Sequence, residues 1–288
     1  MTASDVRIDR LVTGDGVALA LHHLGATTDP HVLLVPGTFS NHTFWLGTRG
    51  TGFARAAADA GFQTWSLDPR GHGASQRPRR HERWDFDDWA REDVPAALRA
   101  ATVDGTRAVV IGHSAGGAAI LAALAAHVEL RPAVRGVITL GTPVPWQQKV
   151  FRGLAGRLIR TISRRLRSFP ARALRLGPED ELAGVMEQWM GWNFDGRWLG
   201  DDGTDYGARL AEIMAPTLVV AGAADRIWAP PAAVRGLYDL VGSPAKRFLL
   251  CGRAGGFAKD YGHVELVVSR AARHEVWPRL IAWMRALP

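Results

Sequence analysis

A single cysteine, Cys251, stands in the 288 residues, so no internal disulfide forms and nothing ties the chain to an oxidising compartment. It closes the apolar run Phe248-Leu249-Leu250-Cys251 and reads as a small core residue, because a reactive thiol needs an activating site. No run approaches the ~18 apolar residues that cross a bilayer. The polar segment 1–10 has no apolar stretch of the kind that directs export, and the expected location is cytoplasmic. Acidic residues are missing from 149–175, where nine Lys or Arg stand without one Asp or Glu. No Gly-rich phosphate loop or dinucleotide fingerprint follows a strand, and no metal site is evident, so neither cofactor nor metal is expected. Nucleic-acid motifs are lacking too. The net charge of +7 therefore reads as an arginine-rich composition, and no nucleic-acid partner is expected.

What is present is ordinary for a folded enzyme, with 47% hydrophobic and 22% charged residues. The length suits one large α/β domain carrying an insertion. Short apolar runs at 17–24, 31–35, 63–67, 107–111, 135–140, 217–221 and 247–251 alternate with helical patterns at 52–60, 84–101, 115–127 and 270–287. The runs are continuously apolar, as strands covered on both faces must be. The expectation is a doubly wound, mostly parallel eight-stranded α/β sheet with a helical cap inserted after the sixth strand. The core domain spans 1–143 and 207–288, and the cap 144–206, an interval without a strand candidate. Within it Phe151, Leu154, Leu158, Ile159, Ile162, Leu166 and Phe169 recur at helical steps and form one apolar face.

The chemistry centres on Gly112-His113-Ser114-Ala115-Gly116, after an apolar strand and before an Ala-rich helix. A nucleophile on so sharp a turn is strained and needs small neighbours, here Gly112, Ala115, Gly116 and Gly117. It also meets a helix N-terminus, which favours developing negative charge. A serine hydroxyl requires a base, and among ten histidines His263 stands between the last strand and the closing helix. Asp225, just past the strand at 217–221, is the carboxylate that orients the imidazole. His113 should turn away from Ser114 into the packing beneath it. The oxyanion hole is expected from the main-chain N–H groups of Ala115 and Thr38. Asp68-Pro69-Arg70-Gly71-His72-Gly73-Ala74-Ser75 reads as a braced structural loop rather than a catalytic one.

Ser114, Asp225 and His263 follow the chain order of the α/β-hydrolase superfamily. Together with Leu33-Leu34-Val35-Pro36-Gly37, the Asp68–Ser75 loop, Gly222-x-x-Asp225 and Gly262-His263, they make the chain resemble that superfamily over nearly its whole length outside the cap. The resemblance implies the fold and the triad and says little about the substrate. The chain departs from it at Pro36-Gly37, where members commonly have His-Gly. The stretch 43–68 and Trp84-x-Phe86-x-x-Trp89 look like bacterial relatives of the acid lipases, and the latter also resembles polyhydroxyalkanoate synthases. Those synthases use cysteine on the elbow, whereas epoxide hydrolases and haloalkane dehalogenases use aspartate. Ser114 argues against all three.

The expected activity is ester, lactone or thioester hydrolysis through an acyl-enzyme, on a small molecule with an apolar acyl part. Acyl transfer and cleavage of an amide or C–C bond use the same triad, and a non-catalytic binding protein is the remaining class. Met186, Trp189, Met190, Trp192, Phe194 and Trp198 form an aromatic, Met-rich cluster, read either as an acyl pocket or as the cap's own core. Phe39 and Trp146 join Met186, Trp189, Met190 and Trp192 as candidate substrate contacts. The basic stretch 149–175 has three readings: an apolar face packed on the main domain with arginines in water, a lure for anionic substrates, or weak association with an anionic membrane.

Overall fold

Runs too apolar to leave either face in water become the central strands of one sheet. The computed structural model describes residues 6–25, 30–103, 105–144 and 149–288. Its strands are β1 (Arg7–Val12), β2 (Ala18–Leu24), β3 (His31–Val35), β4 (Gln63–Asp68), β5 (Ala108–His113), β6 (Val134–Leu140), β7 (Ser168–Phe169), β8 (Glu181–Leu182), β9 (Thr217–Gly222) and β10 (Lys246–Cys251). Eight of them form one sheet in the order β1-β2-β4-β3-β5-β6-β9-β10. Only the β1–β2 and β2–β4 pairs are antiparallel, and the remaining five pairs are parallel. The expected doubly wound, mostly parallel eight-stranded sheet is therefore what the chain forms.

Alternate residues of the same strand serve opposite layers. Leu33, Val110 and Val137 pack with the helices Val94–Ala101 and Ala115–Ala126. Val32, Leu34, Val109 and Ile138 pack with Phe53–Asp59 and Arg270–Arg285. Strand β1 is the eighth strand and one that apolar runs do not reveal. It lies at the edge with nearly every residue exposed, so it has no apolar signature. The helical pattern at 84–101 becomes Phe86–Asp88, a π-helical turn at Trp89–Asp93, and Val94–Ala101. Pro95 lies just beyond that wide turn and cannot donate a helical hydrogen bond.

Between β6 and β9 run the helix Leu154–Leu166, the antiparallel pair β7–β8 and the helix Ala183–Asp195. The two strands are a correction to the strand-free expectation, and at two residues each they are too short to leave a periodic pattern. A second correction concerns the apolar face of Leu154–Leu166. Phe151 and Phe169 are buried, but Leu154, Leu158 and Leu166 are 82%, 56% and 58% exposed. The helix instead presses its small residues Gly156 and Ser163 inward. A Cβ on Gly156 would stand 2.0 Å from Phe151 O and 3.2 Å from Phe194, so close approach selects the glycine side. No helix among the described residues is long and apolar enough to cross a membrane.

Candidate active site

The parallel strands end on one side of the sheet, and their following loops meet there. Strand β5 ends at His113, and the chain turns into the Ala115–Ala126 helix through Ser114 alone. Ser114 stands at φ 52° and ψ −122°, a costly conformation for a residue with a side chain. Its N–H donates to Leu140 O at 2.9 Å, and its carbonyl accepts from Thr142 Oγ1 at 3.0 Å. These bonds from β6 and the loop after it hold the strained residue. The neighbouring glycines are sterically required. A Cβ would lie 2.3 Å from Gly117 N if placed on Gly112, and 2.3 Å from Pro36 O if placed on Gly116.

His263 arrives on the loop after β10 and donates from Nδ1 to Asp225 Oδ2 at 2.6 Å. A carboxylate only accepts, so this bond places the hydrogen on Nδ1 and leaves Nε2 of the neutral ring as a base. Asp225, on the loop after β9, also accepts from the main-chain N–H groups of Trp228 and Ala229 at 3.1 and 3.0 Å. Burial pushes its carboxyl up, but the hydrogen bond from His263 and those amides outweigh it and hold Asp225 below the ordinary carboxylate value. The imidazole seats against Gly141, where a Cβ would be 3.1 Å from Nδ1.

Ser114, Asp225 and His263 line one open cleft of about 610 Å³, together with Thr38, Phe39 and Trp228. No hydrogen bond joins Ser114 to His263 among the described residues. Such bonds are commonly loose in an unliganded site and tighten around a substrate. The N–H groups of Thr38 and Ala115 have no acceptor among the described residues, as an oxyanion hole requires. Ser114, Ala115 and Thr38 also border a second, narrower recess of about 30 Å³, walled by Phe86, Val185, Trp189 and Trp192. Of the other candidate substrate contacts, Met186 packs with Phe39, Phe169 and Ala171, and Met190 is fully buried. Trp146 lies outside the described residues.

A family model for the alpha/beta hydrolase fold matches residues 30–255. The chain belongs to that family. No curated protein matches it by sequence. Solved structures similar to this hydrolase-fold chain include an esterase from Thermogutta terrifontis, 21% identical, covering 97% of this chain and 98% of its own, with a TM-score of 0.63. Another is a monoacylglycerol lipase from Paleococcus ferrophilus, 16% identical, covering 92% of this chain and 98% of its own, with a TM-score of 0.65. A third is an esterase from Exiguobacterium antarcticum, 15% identical, covering 96% and 99%, with a TM-score of 0.66. At these identities the likeness is one of fold.

Other side chains of this alpha/beta hydrolase set the geometry around these groups. His113 packs between Phe44 and His263, with ring centroids 4.5 Å from each. Burial, with the His263 ring beside it, holds His113 well below the ordinary imidazole value. Neutral, it donates from Nε2 to the His263 carbonyl at 3.2 Å. Phe39, next to Thr38, has φ 64°, a second strained residue. Its N–H donates to Glu181 Oε2 at 2.9 Å, and its carbonyl accepts from Glu179 N at 3.1 Å. Both glutamates come from the segment between β6 and β9. Glu179-Asp180-Glu181, the first acids after a long basic stretch, is the signal that marks them.

The loop Asp68–Ser75 is braced on every side. Buried Asp68 accepts from His22 Nε2 at 2.9 Å, His42 N at 2.7 Å and Ala74 N at 2.8 Å. Burial pushes its carboxyl up, yet these donors outweigh burial and hold it far below the ordinary value. His22, His42 and Asp68 are of metal-ligating types, but both rings are engaged on that carboxylate. His72 faces Glu181 at 3.3 Å, linking this loop to the same carboxylate that holds Phe39.

Proposed function

We propose that this chain is a serine hydrolase that cleaves carboxylic esters through Ser114, His263 and Asp225. The observation that carries the reading is a strained serine at the junction of two cavities, one of which also holds the Asp225–His263 pair. His263 Nε2 takes the Ser114 proton as Oγ attacks the ester carbonyl. The Thr38 and Ala115 N–H groups receive the oxyanion. Collapse expels the alcohol, which takes its proton from His263 and leaves an acyl-serine. Water, activated by the same imidazole, then releases the acid and regenerates Ser114.

The two cavities divide the substrate. The leaving oxygen must lie on the His263 side, so the alcohol half belongs in the wide cleft. The acyl half then enters the recess between Trp189 and Trp192. A cavity of about 30 Å³ holds few atoms, given that ~10–15 Å³ on this measure fits one water. Short apolar acyl groups on bulky alcohols are the class this arrangement favours. Residues 144–206 act in this reading as a cap, supported by the recess walls and by the Glu179 and Glu181 contacts. Acyl transfer and amide or C–C cleavage need the same groups, but a wide cleft open to water favours hydrolysis. A cytoplasmic enzyme is in keeping with the single buried Cys251.

A fluorophosphonate should label Ser114 in the folded protein, and Ser114→Ala should abolish both labelling and turnover. A p-nitrophenyl ester series should peak at short acyl chains. An unlabelled Ser114, or equal hydrolysis by Ser114→Ala, overturns the reading.

A further inference from the structure

Six of the exposed large apolar residues fall in two groups. Leu154, Leu158 and Leu166 stand on one helix, and all are more than half exposed. Leu176, Ile227 and Val264, at 41%, 53% and 47% exposure, come from three separate loops, and all line the cleft that holds Ser114. The two groups are joined through the interior. Ile159, on the same helix as the leucines, packs in one cluster with Phe39 and Trp228, which also line the cleft. The helix that carries the apolar stripe thus packs its inner side on residues that line the cleft.

The same stretch carries unneutralised cations. Arg157, Arg165, Arg172 and Arg175 are exposed and have no ion-pair partner among the described residues. Arg164, by contrast, is held by Glu187 at 2.8 Å. Solvated leucines next to unneutralised arginines match the chemistry of an interfacial helix, with apolar residues to enter the acyl boundary and cations to meet headgroup phosphates.

We propose that the helix Leu154–Leu166 and the cleft rim dock on an anionic lipid surface, with the mouth of the cleft turned toward it. Docking would deliver an apolar ester straight from the lipid into the alcohol side of the site. That consequence rests on the esterase reading, whereas the docking itself does not. Partition onto anionic lipid should weaken as salt screens the arginines.

Cosedimentation with phosphatidylglycerol–phosphatidylcholine vesicles, against phosphatidylcholine alone, tests this at low and at high salt. Binding is expected to the anionic vesicles only and to fall on the order of tenfold with added salt. Leu154→Glu/Leu158→Glu and Arg157→Glu/Arg165→Glu should each lower it on the order of tenfold while turnover of a short soluble ester stays at the wild-type level. Four outcomes overturn docking: no sedimentation at low salt, equal binding to neutral vesicles, unchanged binding by both double variants, or a dimer in light scattering that Leu154→Glu/Leu158→Glu dissolves without vesicle binding. Loss of fluorophosphonate labelling with vesicle binding retained would strike only the esterase reading.

Discussion

Glu181 and Phe39 show how a residue remote in sequence braces the loop that lines the cleft beside Ser114. Phe39 is strained at φ 64°, and its N–H would be left unpaired inside the protein without the Glu181 carboxylate. That bond fixes the peptide next to the Thr38 N–H, the group proposed to receive the oxyanion. Glu181→Gln keeps an acceptor oxygen, and Glu181→Leu removes it. We expect kcat to fall in the order wild type, Glu181→Gln, Glu181→Leu, by about tenfold or more for the last, because small misplacements of catalytic groups are costly. KM should change much less, since Glu181 walls neither cavity. Equal losses in kcat and KM, or melting of both variants at assay temperature, would assign Glu181 a purely structural part.

Among elements, the Asp68–Ser75 loop is tied to the 86–101 helical stretch by one buried arginine. Arg70 donates from Nε and from its main-chain N–H to Asp93 at 2.8 Å each, reaches Asp15 at 2.7 Å, and lies over the Trp84 ring. Burial pushes Asp93 up to about 6 even with Arg70 against it. Removing the guanidinium strands a buried carboxylate, at a cost of ~3–5 kcal/mol. Arg70→Met should therefore unfold at lower urea, and Arg70→Met/Asp93→Leu should recover part of the loss. The sign with pH follows from the raised value. A carboxyl with a raised folded-state value contributes stability below its unfolded value and loses it as pH rises through the folded one. The Arg70→Met defect should accordingly be deeper at about pH 8 than at about pH 5.

For the molecule as a whole, Asp68 and Asp225 work in the opposite sense. Both are held below the ordinary carboxylate value, against burial, by histidines and main-chain N–H groups. Their stabilisation is complete above the unfolded value near ~4 and is lost as pH falls through the lower folded values. The net charge of +7 grows more positive over the same range and adds self-repulsion. Urea midpoints should therefore drop steeply as the pH falls below about 4. Asp68→Asn, which can no longer lose a charge, should flatten part of that acid limb. A midpoint independent of pH in the acid range would show that neither carboxylate carries net stability.

At this same scale, legibility followed burial and local rules. Ser114, Asp225 and His263 were readable because each needs a marked local context: glycines around a strained turn, and a loop after an apolar strand. Strands buried on both faces announced themselves, and exposed β1 did not. The amino-acid sequence alone determined the sheet, its winding and the candidate nucleophile, since these follow from periodicity and from steric rules over a few residues. Only the tertiary structure decided that Glu181 reaches Phe39, that Trp189 and Trp192 wall a narrow recess, and that the leucines of 154–166 remain in water. Those outcomes depend on which side of a helix approaches closest and on contacts across a hundred residues or more, which no local pattern encodes.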